Sequence, residues 1–426
     1  MSKTSAAIPT PLNWEDALGI ILNSTPPPCM VKASIGEACG RVSAAEVTSP
    51  ISVPPFDNSS MDGFAVLAAD VADASHAHPV SLQVVGEAPA GRPFHRTIQS
   101  GQAVQIMTGA PLPAGADVVV RVEDTNRISA QVVNIQAAVK IGTAIRRAGA
   151  DTRAGELVIR SGELITPAHI ALAASCGVEA VPVFRVPTIA LAVGGDEVVP
   201  VEHGSGLQPG QIYDSNSPML LSLFKKWGVA CEFLGRMPDA PSAILEFLRR
   251  GLQFDVLVTV GGVSMGEHDY MRRCLSEIGA NELFWKINQQ PGGPMLYAQA
   301  GNTRIFGLPG NPVSAYVCAD IYVQSALRKA YGHSQAEPGR ISAELVEPLK
   351  KPHRKVAFVR CKLRWRENRF FAQSTGPQDS NRIRSLIEHD GYIVFPEEKQ
   401  QLAAGEEVTI LIIDQQALGR VMVHRD

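Results

Sequence analysis

None of the seven cysteines of this 426-residue chain stands in a C-x-x-C pair. The sequence therefore lacks the usual spacing of a cysteine zinc site or a dithiol redox centre. Scattered thiols of this kind predict a reduced, cytoplasmic protein. No H-E-x-x-H or similar spacing occurs among the ten histidines, which argues against a histidine zinc centre. No apolar run is long enough to span a bilayer, and the opening "MSKTSAAIPTPLNWEDAL" lacks the apolar core of a signal peptide. Charge of one sign is missing too: 39 basic residues face 42 acidic ones, a net charge of −3. General binding to nucleic acid or to an anionic membrane is not expected at that balance. Short-period repeats, low-complexity tracts and long linkers are also absent.

What is present divides into regions of different texture, and the length holds two to four domains. "NWEDALGIIL" predicts an opening helix capped by Asn13. Residues 51–148 are strand-rich, with short runs such as "SLQVVGEA" and "ADVVVRVED" broken by Gly and Pro. "TPAHIALAASCG" carries Thr166 as cap, Pro167 at the first helical position and Gly177 as stop. Segments 1–50 and 149–186 are expected to form one discontinuous mixed α/β domain, in which the opening helix packs and from which 51–148 is inserted. Residues 187–333 alternate apolar strands ("PTIALAV", "VACEFLG", "FDVLVTV", "TRIFGL") with amphipathic helices, which predicts a doubly wound parallel αβα domain. Residues 334–426 return to strand texture and form a C-terminal β domain. The fold class is thus multidomain α/β plus β.

In a doubly wound sheet, ligands bind beyond the carboxyl ends of the strands. Three of those ends carry unusual loops: "VGGDE" (193–197), "VGGVSMGEHD" (260–269) and "GLPGNPVSA" (307–315). Asp239, in "GRMPDAPS", lies beyond the end of the second strand, "VACEFLG". Each loop alone is an ordinary glycine turn. Their gathering on one rim points to a site, because core packing gives no reason to collect acids there. In "GLPGNPVSA", Asn311 is expected to cap and Pro312 to open a helix whose free N–H groups point outward, while Gly307 and Gly310 admit a ligand to the backbone. Glu197, Asp239 and Asp269 would repel a bare phosphate unless a divalent cation lay between, and carboxylates with phosphate oxygens are the ligands Mg²⁺ takes. "GGVSMGEHDY" has no P-loop lysine, so its Gly261, Gly262, Ser264 and Gly266 fit phosphate and a hard metal held together.

A second concentration lies in the insertion. "PPFDNSSMDGFAV" (54–66) and "QIMTGAPLPAGADVVVRVED" (105–124) expose polar side chains beside proline-braced turns, and "RRAGADTRAGE" places Asp151 between glycines. Asx and Ser turns account for much of this without a ligand.

Taken in order, "PPFDNSSMDGFAV", "IMTGAPLPAGADVVVRVEDT", "GGVSMGEHDY" and "GLPGNPVSA" resemble the MoeA family, known in animals as the E domain of gephyrin, over about residues 11–415. The resemblance implies a homodimer of four-domain subunits whose αβα domain is similar to molybdopterin adenylyltransferases. It implies that adenylated molybdopterin and molybdate are the substrates, that Mg²⁺ is required, and that molybdenum insertion releases AMP. Molybdopterin adenylyltransferase and proteins that mature molybdoenzymes are candidate partners. Matched by motif, the family's functional acids fall on Asp62, Asp151, Glu197, Asp239 and Asp269. Its threonine falls on Thr108, its lysine on Lys286, and two polar positions of the last domain on Arg360 and Ser380.

The chain also departs from the family pattern. "KINQQPGGP" (286–294) stands where the family reads K-x-x-x-K-P-G-K-P, so Gln290 and Gly293 replace two cations that would host an oxyanion. "GGDEVV" replaces T-G-D-E-L but keeps Asp196 and Glu197. In "VRCKLRWR", Arg360, Lys362, Arg364 and Arg366 alternate with apolar residues, the pattern of a half-buried strand with a solvated cationic face. Two other functions fit parts of the sequence: a divergent paralogue that carries a pterin or nucleotide without inserting metal, and an adenylyltransferase. Retained acids oppose the first, and the strand-rich insertion opposes the second.

Overall fold

A computed structural model describes residues 11–203, 206–262 and 268–412. The chain folds into two compact units, Met30–Val183 and a larger one built from the flanking segments.

Helix α1 (Trp14–Ser24) begins as its sequence predicts: Asn13 accepts a hydrogen bond from the Glu15 N–H at 2.9 Å, and Glu15 and Asp16 fill the first turn. Its apolar stripe of Trp14, Ala17, Leu18 and Ile21 does not join the 149–186 segment as expected. It belongs to the core of the larger unit with Leu191, Phe306 and Phe358, and Trp14 meets Phe358 edge-on at 5.3 Å. That core offers large aromatic partners. The core around residues 149–183 is made of small and β-branched side chains such as Val158, Ala173 and Val181, with its own internal partners.

The smaller unit holds a six-stranded sheet of β1 (Gly63–Val66), β2 (Val80–Ala88), β3 (Gln102–Ile106), β4 (Val118–Arg121), β5 (Thr125–Arg127) and β6 (Val132–Ile135), in the order β4-β1-β3-β2-β6-β5. Alternate residues face opposite sides, so Phe64, Val66 and Val120 serve one core while Ala65, Val104 and Val119 serve another. Helix α2 (Pro167–Ser175) carries the expected Thr166 cap, closed into a capping box by His169.

In the larger unit, β7 (Ile189–Gly194), α3 (Asn216–Lys226), β8 (Cys231–Met237), α4 (Pro241–Gly251), β9 (Val256–Val260) and α5 (His268–Glu277) alternate as predicted. The chain continues through β10 (Asn281–Trp285), β11 (Gln289–Gln290), β12 (Leu296–Ala300) and β13 (Thr303–Leu308). The sheet order is β8-β7-β9-β13-β12-β10. The four strands read from sequence are parallel; β12 and β10 extend the sheet antiparallel, which the sequence reading did not include. The long closing helix runs through α6 (Pro312–Cys318), a π-helical stretch at Ala319–Val323, and α7 (Gln324–Ala330).

The last domain is a sheet closed on itself. Strands β14 (Gly339–Leu345), β15 (Val356–Arg366), β16 (Arg369–Ser374), β17 (Gly391–Phe395) and β18 (Glu407–Ile412) run β15-β16-β14-β18-β17, and β15 also pairs with β17 to complete a barrel. Closure leaves no free edge among these five strands. Gln290 on β11 pairs with Ala357 on β15, tying the 286–294 segment to the barrel.

Candidate functional site

The chain leaves β7 to form β8 on one side and then crosses to form β9 on the other, so the order of the sheet switches between β7 and β9. A cleft of about 700 Å³ opens beyond the carboxyl ends of these two strands, lined among others by Gly195, Glu197, Asp239, Gly261, Lys286 and Gly310. This is the place where doubly wound sheets bind ligands.

Glycine is required here for two different reasons. Gly195 has φ 124°, and a Cβ on it would lie 2.9 Å from Val198 and 3.0 Å from a Glu197 carboxylate oxygen. The Glu197 side chain thus folds back over space that only glycine leaves open. Gly261 and Gly262 are consecutive left-handed residues, with φ 83° and 68°, which bare the backbone at the end of β9. Gly310 faces them: the nearest atom to a Cβ built there is the Gly261 Cα, 3.9 Å away.

Of the expected acids, Glu197 and Asp239 line the cleft. The Asp239 N–H donates to an Asp196 carboxylate oxygen at 3.3 Å. Burial pushes the Asp239 carboxyl up; a backbone hydrogen bond with Asp196 opposes this, and the charges of Asp196 and Glu197 add to the rise. Among the described residues no three His, Cys, Asp or Glu side chains converge as a metal-holding group. Asp269 belongs to the first turn of α5, but its side chain lies outside the described residues, as do Ser264 and Gly266. Lys286 lines the cleft with a left-handed backbone, φ 74°, and its ammonium sits 3.9 Å over the Trp285 ring.

The start of α6 differs from expectation in its capping. Asn311 makes no side-chain cap; its amide instead donates to the Ser380 hydroxyl at 3.2 Å. The Ser380 carbonyl accepts the Val313 N–H at 3.2 Å, so one N–H of the first turn is already engaged. Asn311 and Pro312 line the cleft. Gly307 does not: it is buried within β13, paired with Thr259 on one side and Leu296 on the other. Nor does Arg360, which is 0 % exposed. Its guanidinium donates to the Ser385 hydroxyl at 3.1 Å and the Asp379 carbonyl at 3.4 Å, and burial lowers its pKa to about 10. Arg360 therefore secures from behind the segment that carries Ser380.

Asp62, Thr108 and Asp151 belong to the smaller unit. Asp62 accepts two hydrogen bonds from Thr108, from its N–H and its hydroxyl, each 2.7 Å. These hold the Asp62 carboxyl below the usual range. Asp151 is exposed, and its N–H donates to the Val53 carbonyl at 3.0 Å.

Sequence reasoning passed over the segment "IYDSN" (212–216). Asn216 is buried beside the cleft and donates to the Gly310 carbonyl at 2.8 Å, fixing the loop. Asp214 anchors the turn before it, accepting from the Ser217 N–H at 2.9 Å and facing Arg236 at 3.2 Å. The available signal was an Asp three residues before Ser217 at a helix start, where an acid side chain satisfies free N–H groups.

Residues 12–177 match the family model described as "MoeA N-terminal region (domain I and II)", 190–329 that described as "Probable molybdopterin binding domain", and 342–413 "MoeA C-terminal region (domain IV)". A molybdopterin molybdenumtransferase of Haemophilus influenzae is 35% identical over 403 residues, 94% of this chain and 98% of that protein. One from Bacillus subtilis is 30% identical over 384 residues, 89% of each. The solved structure of a molybdopterin biosynthesis MoeA protein from Pyrococcus horikoshii is similar with a TM-score of 0.80 at 30% identity, covering 95% of this chain and 100% of that one.

Proposed function

This chain belongs to the MoeA family of molybdopterin molybdenumtransferases, and from that premise we propose that it inserts molybdenum into adenylated molybdopterin, cleaving the pyrophosphate bond and releasing AMP. The observation that carries this reading is the meeting, at one switch point, of bare glycine backbone (Gly261, Gly310) with an acid rim (Glu197, Asp239). Backbone amides suit the pyrophosphate, and the acids suit a cation bridging to it.

Burial first, and then the charges of Asp196 and Glu197, raise the Asp239 carboxyl, and a hard cation at this rim would relieve it. Glu197, Asp239 and Asp269 would hold the cation, and bound Mg²⁺ would neutralise charge on the pyrophosphate oxygens. The chain's own groups do the rest. Gly261 and Gly310 admit the phosphates to the backbone, Asn216 and Ser380 hold the flanking loops, and Lys286 supplies a cation to the cleft for the molybdate oxyanion. Asp62, Thr108 and Asp151 complete the set of functional positions, and a cytoplasmic homodimer is the working form.

The test is to incubate the protein with adenylated molybdopterin, Mg²⁺ and molybdate, and to follow AMP and the molybdenum bound to the pterin. AMP release that requires molybdate supports the proposal. A second reading, a carrier that binds without inserting, is favoured by one observation: Gln290 and Gly293 stand where the family pattern has two cations. Tight binding without AMP at any molybdate concentration would establish that reading instead.

A further inference from the structure

The cleft is lined by two chemically different surfaces. Glycine backbone and acids form one lining surface, and beside them stand the side chains of Ile212 and Tyr213, 54 % and 44 % exposed. Large apolar side chains left this open beside a ligand cleft offer surface that a flat apolar group can cover. Of the two aromatic rings lining the cleft, Trp285 carries the Lys286 ammonium over one face. For Tyr213, no ring or cation contact is present among the described residues.

Tyr213 is also held in place. Ile212 and Tyr213 pair in parallel with Val198 and Val199; the Ile212 N–H donates to the Glu197 carbonyl at 2.9 Å and the Asp214 N–H to the Val199 carbonyl at 2.8 Å. Buried Asp214 follows, locked by Ser217 and Arg236. Three residues beyond Tyr213, Asn216 bonds to the Gly310 carbonyl at 2.8 Å. Three residues of chain reach at most about 10 Å, a span comparable to a mononucleotide. The backbone of Tyr213 is therefore held within one nucleotide's reach of the residue that fixes the Gly310 loop.

We infer that Tyr213 is a substrate-binding residue that stacks on the adenine ring of the nucleotide half of the substrate while its phosphate lies at the Gly261–Gly310 loops. The inference rests on the proposed nucleotide substrate. A tyrosine on a fixed ladder loses little freedom on stacking, and its face accepts a base without demanding hydrogen bonds.

Isothermal titration of the full chain with AMP, ribose 5-phosphate and 6-hydroxymethylpterin tests it. Tyr213→Ala should weaken AMP about tenfold. Tyr213→Phe should bind AMP within about twofold of wild type, since the stacking face is kept. Ribose 5-phosphate, which has no base, should bind both variants as it binds wild type. Unchanged AMP affinity in Tyr213→Ala overturns the inference, as does an equal loss for ribose 5-phosphate or a loss confined to the pterin. Wild-type protein that binds neither phosphate ligand overturns the nucleotide reading and this assignment with it. Wild type that binds AMP beside an indifferent Tyr213→Ala overturns only the role of Tyr213.

Discussion

The Asn311 side-chain amide donates to the Ser380 hydroxyl at 3.2 Å, joining the first turn of α6 to a loop of the barrel domain. The Ser380 carbonyl returns toward α6 by accepting the Val313 N–H. Ser380→Ala keeps the carbonyl and removes the hydroxyl, so it frees Asn311 without unmaking the loop. A single neutral hydrogen bond contributes about 1 kcal/mol. The variant should therefore melt within a few degrees of wild type while AMP affinity falls several-fold. Calorimetry on the same sample reads both, and unaltered affinity would reduce the contact to a structural one.

Gly310 can accept a methyl group without backbone conflict, because its nearest neighbour would be the Gly261 Cα at 3.9 Å. The added atoms would stand where the phosphate approaches. Gly310→Val should weaken AMP binding at least about tenfold, roughly 1.4 kcal/mol, with a much smaller change in melting temperature. Equal affinity in variant and parent would mean that this loop is only a turn.

Glu197 is exposed and folded over Gly195, so the isosteric Glu197→Gln should leave the fold intact. Loss of a preorganised charge at a metal-assisted step costs about a hundredfold in rate. AMP release should fall by that order, and Mg²⁺ binding measured by titration without substrate should weaken. A variant with parental Mg²⁺ affinity would remove Glu197 from the metal site.

Restoring the two family lysines separates into two experiments. Gln290 is exposed, and Gln290→Lys should lower the molybdate concentration for half-maximal AMP release roughly fivefold, since one ammonium near an oxyanion is worth about 1 kcal/mol in water. Gly293→Lys is different: its Cβ would lie 2.9 Å from the Gln289 carbonyl oxygen and 3.2 Å from that of Ile287. Overpacking of that kind costs about 1–3 kcal/mol. That variant should melt several degrees lower, and a melting temperature equal to wild type would show that the turn adapts.

Asp62 supplies a pH test. Its carboxyl is held below the usual value by the Thr108 N–H and hydroxyl. A lowered folded pKa means that the associated stability is full above the ordinary aspartate range and is lost as pH falls through the lowered value. Thr108→Val keeps the N–H and removes the hydroxyl, so Asp62 should titrate closer to an ordinary aspartate. Carbon-13 NMR of the side-chain carboxylates follows this directly; a titration identical to wild type would dismiss the hydroxyl as a partner.

Local order along the chain determined much of this protein. The alternation of β7, α3, β8, α4, β9 and α5 is legible because each element's period, caps and stops are set by near neighbours. The rim of glycines and acids follows once that alternation is known, since a doubly wound sheet directs strand ends to one side. Tertiary structure decided what depends on partners distant in sequence. Asn311 and Ser380 are 69 residues apart, and Asn216 and Gly310 are 94 apart. Nothing local distinguishes an asparagine that caps its own helix from one that bonds a serine in another domain. The apolar face of α1 likewise says that it must be buried, not against which core. In β15, alternation placed Arg360 on the same face as the solvated cations, but closure of the barrel and the 378–385 segment covered it, and its guanidinium took Ser385 and Asp379 as partners. A residue's period states which way it points; only the folded chain decides what stands there.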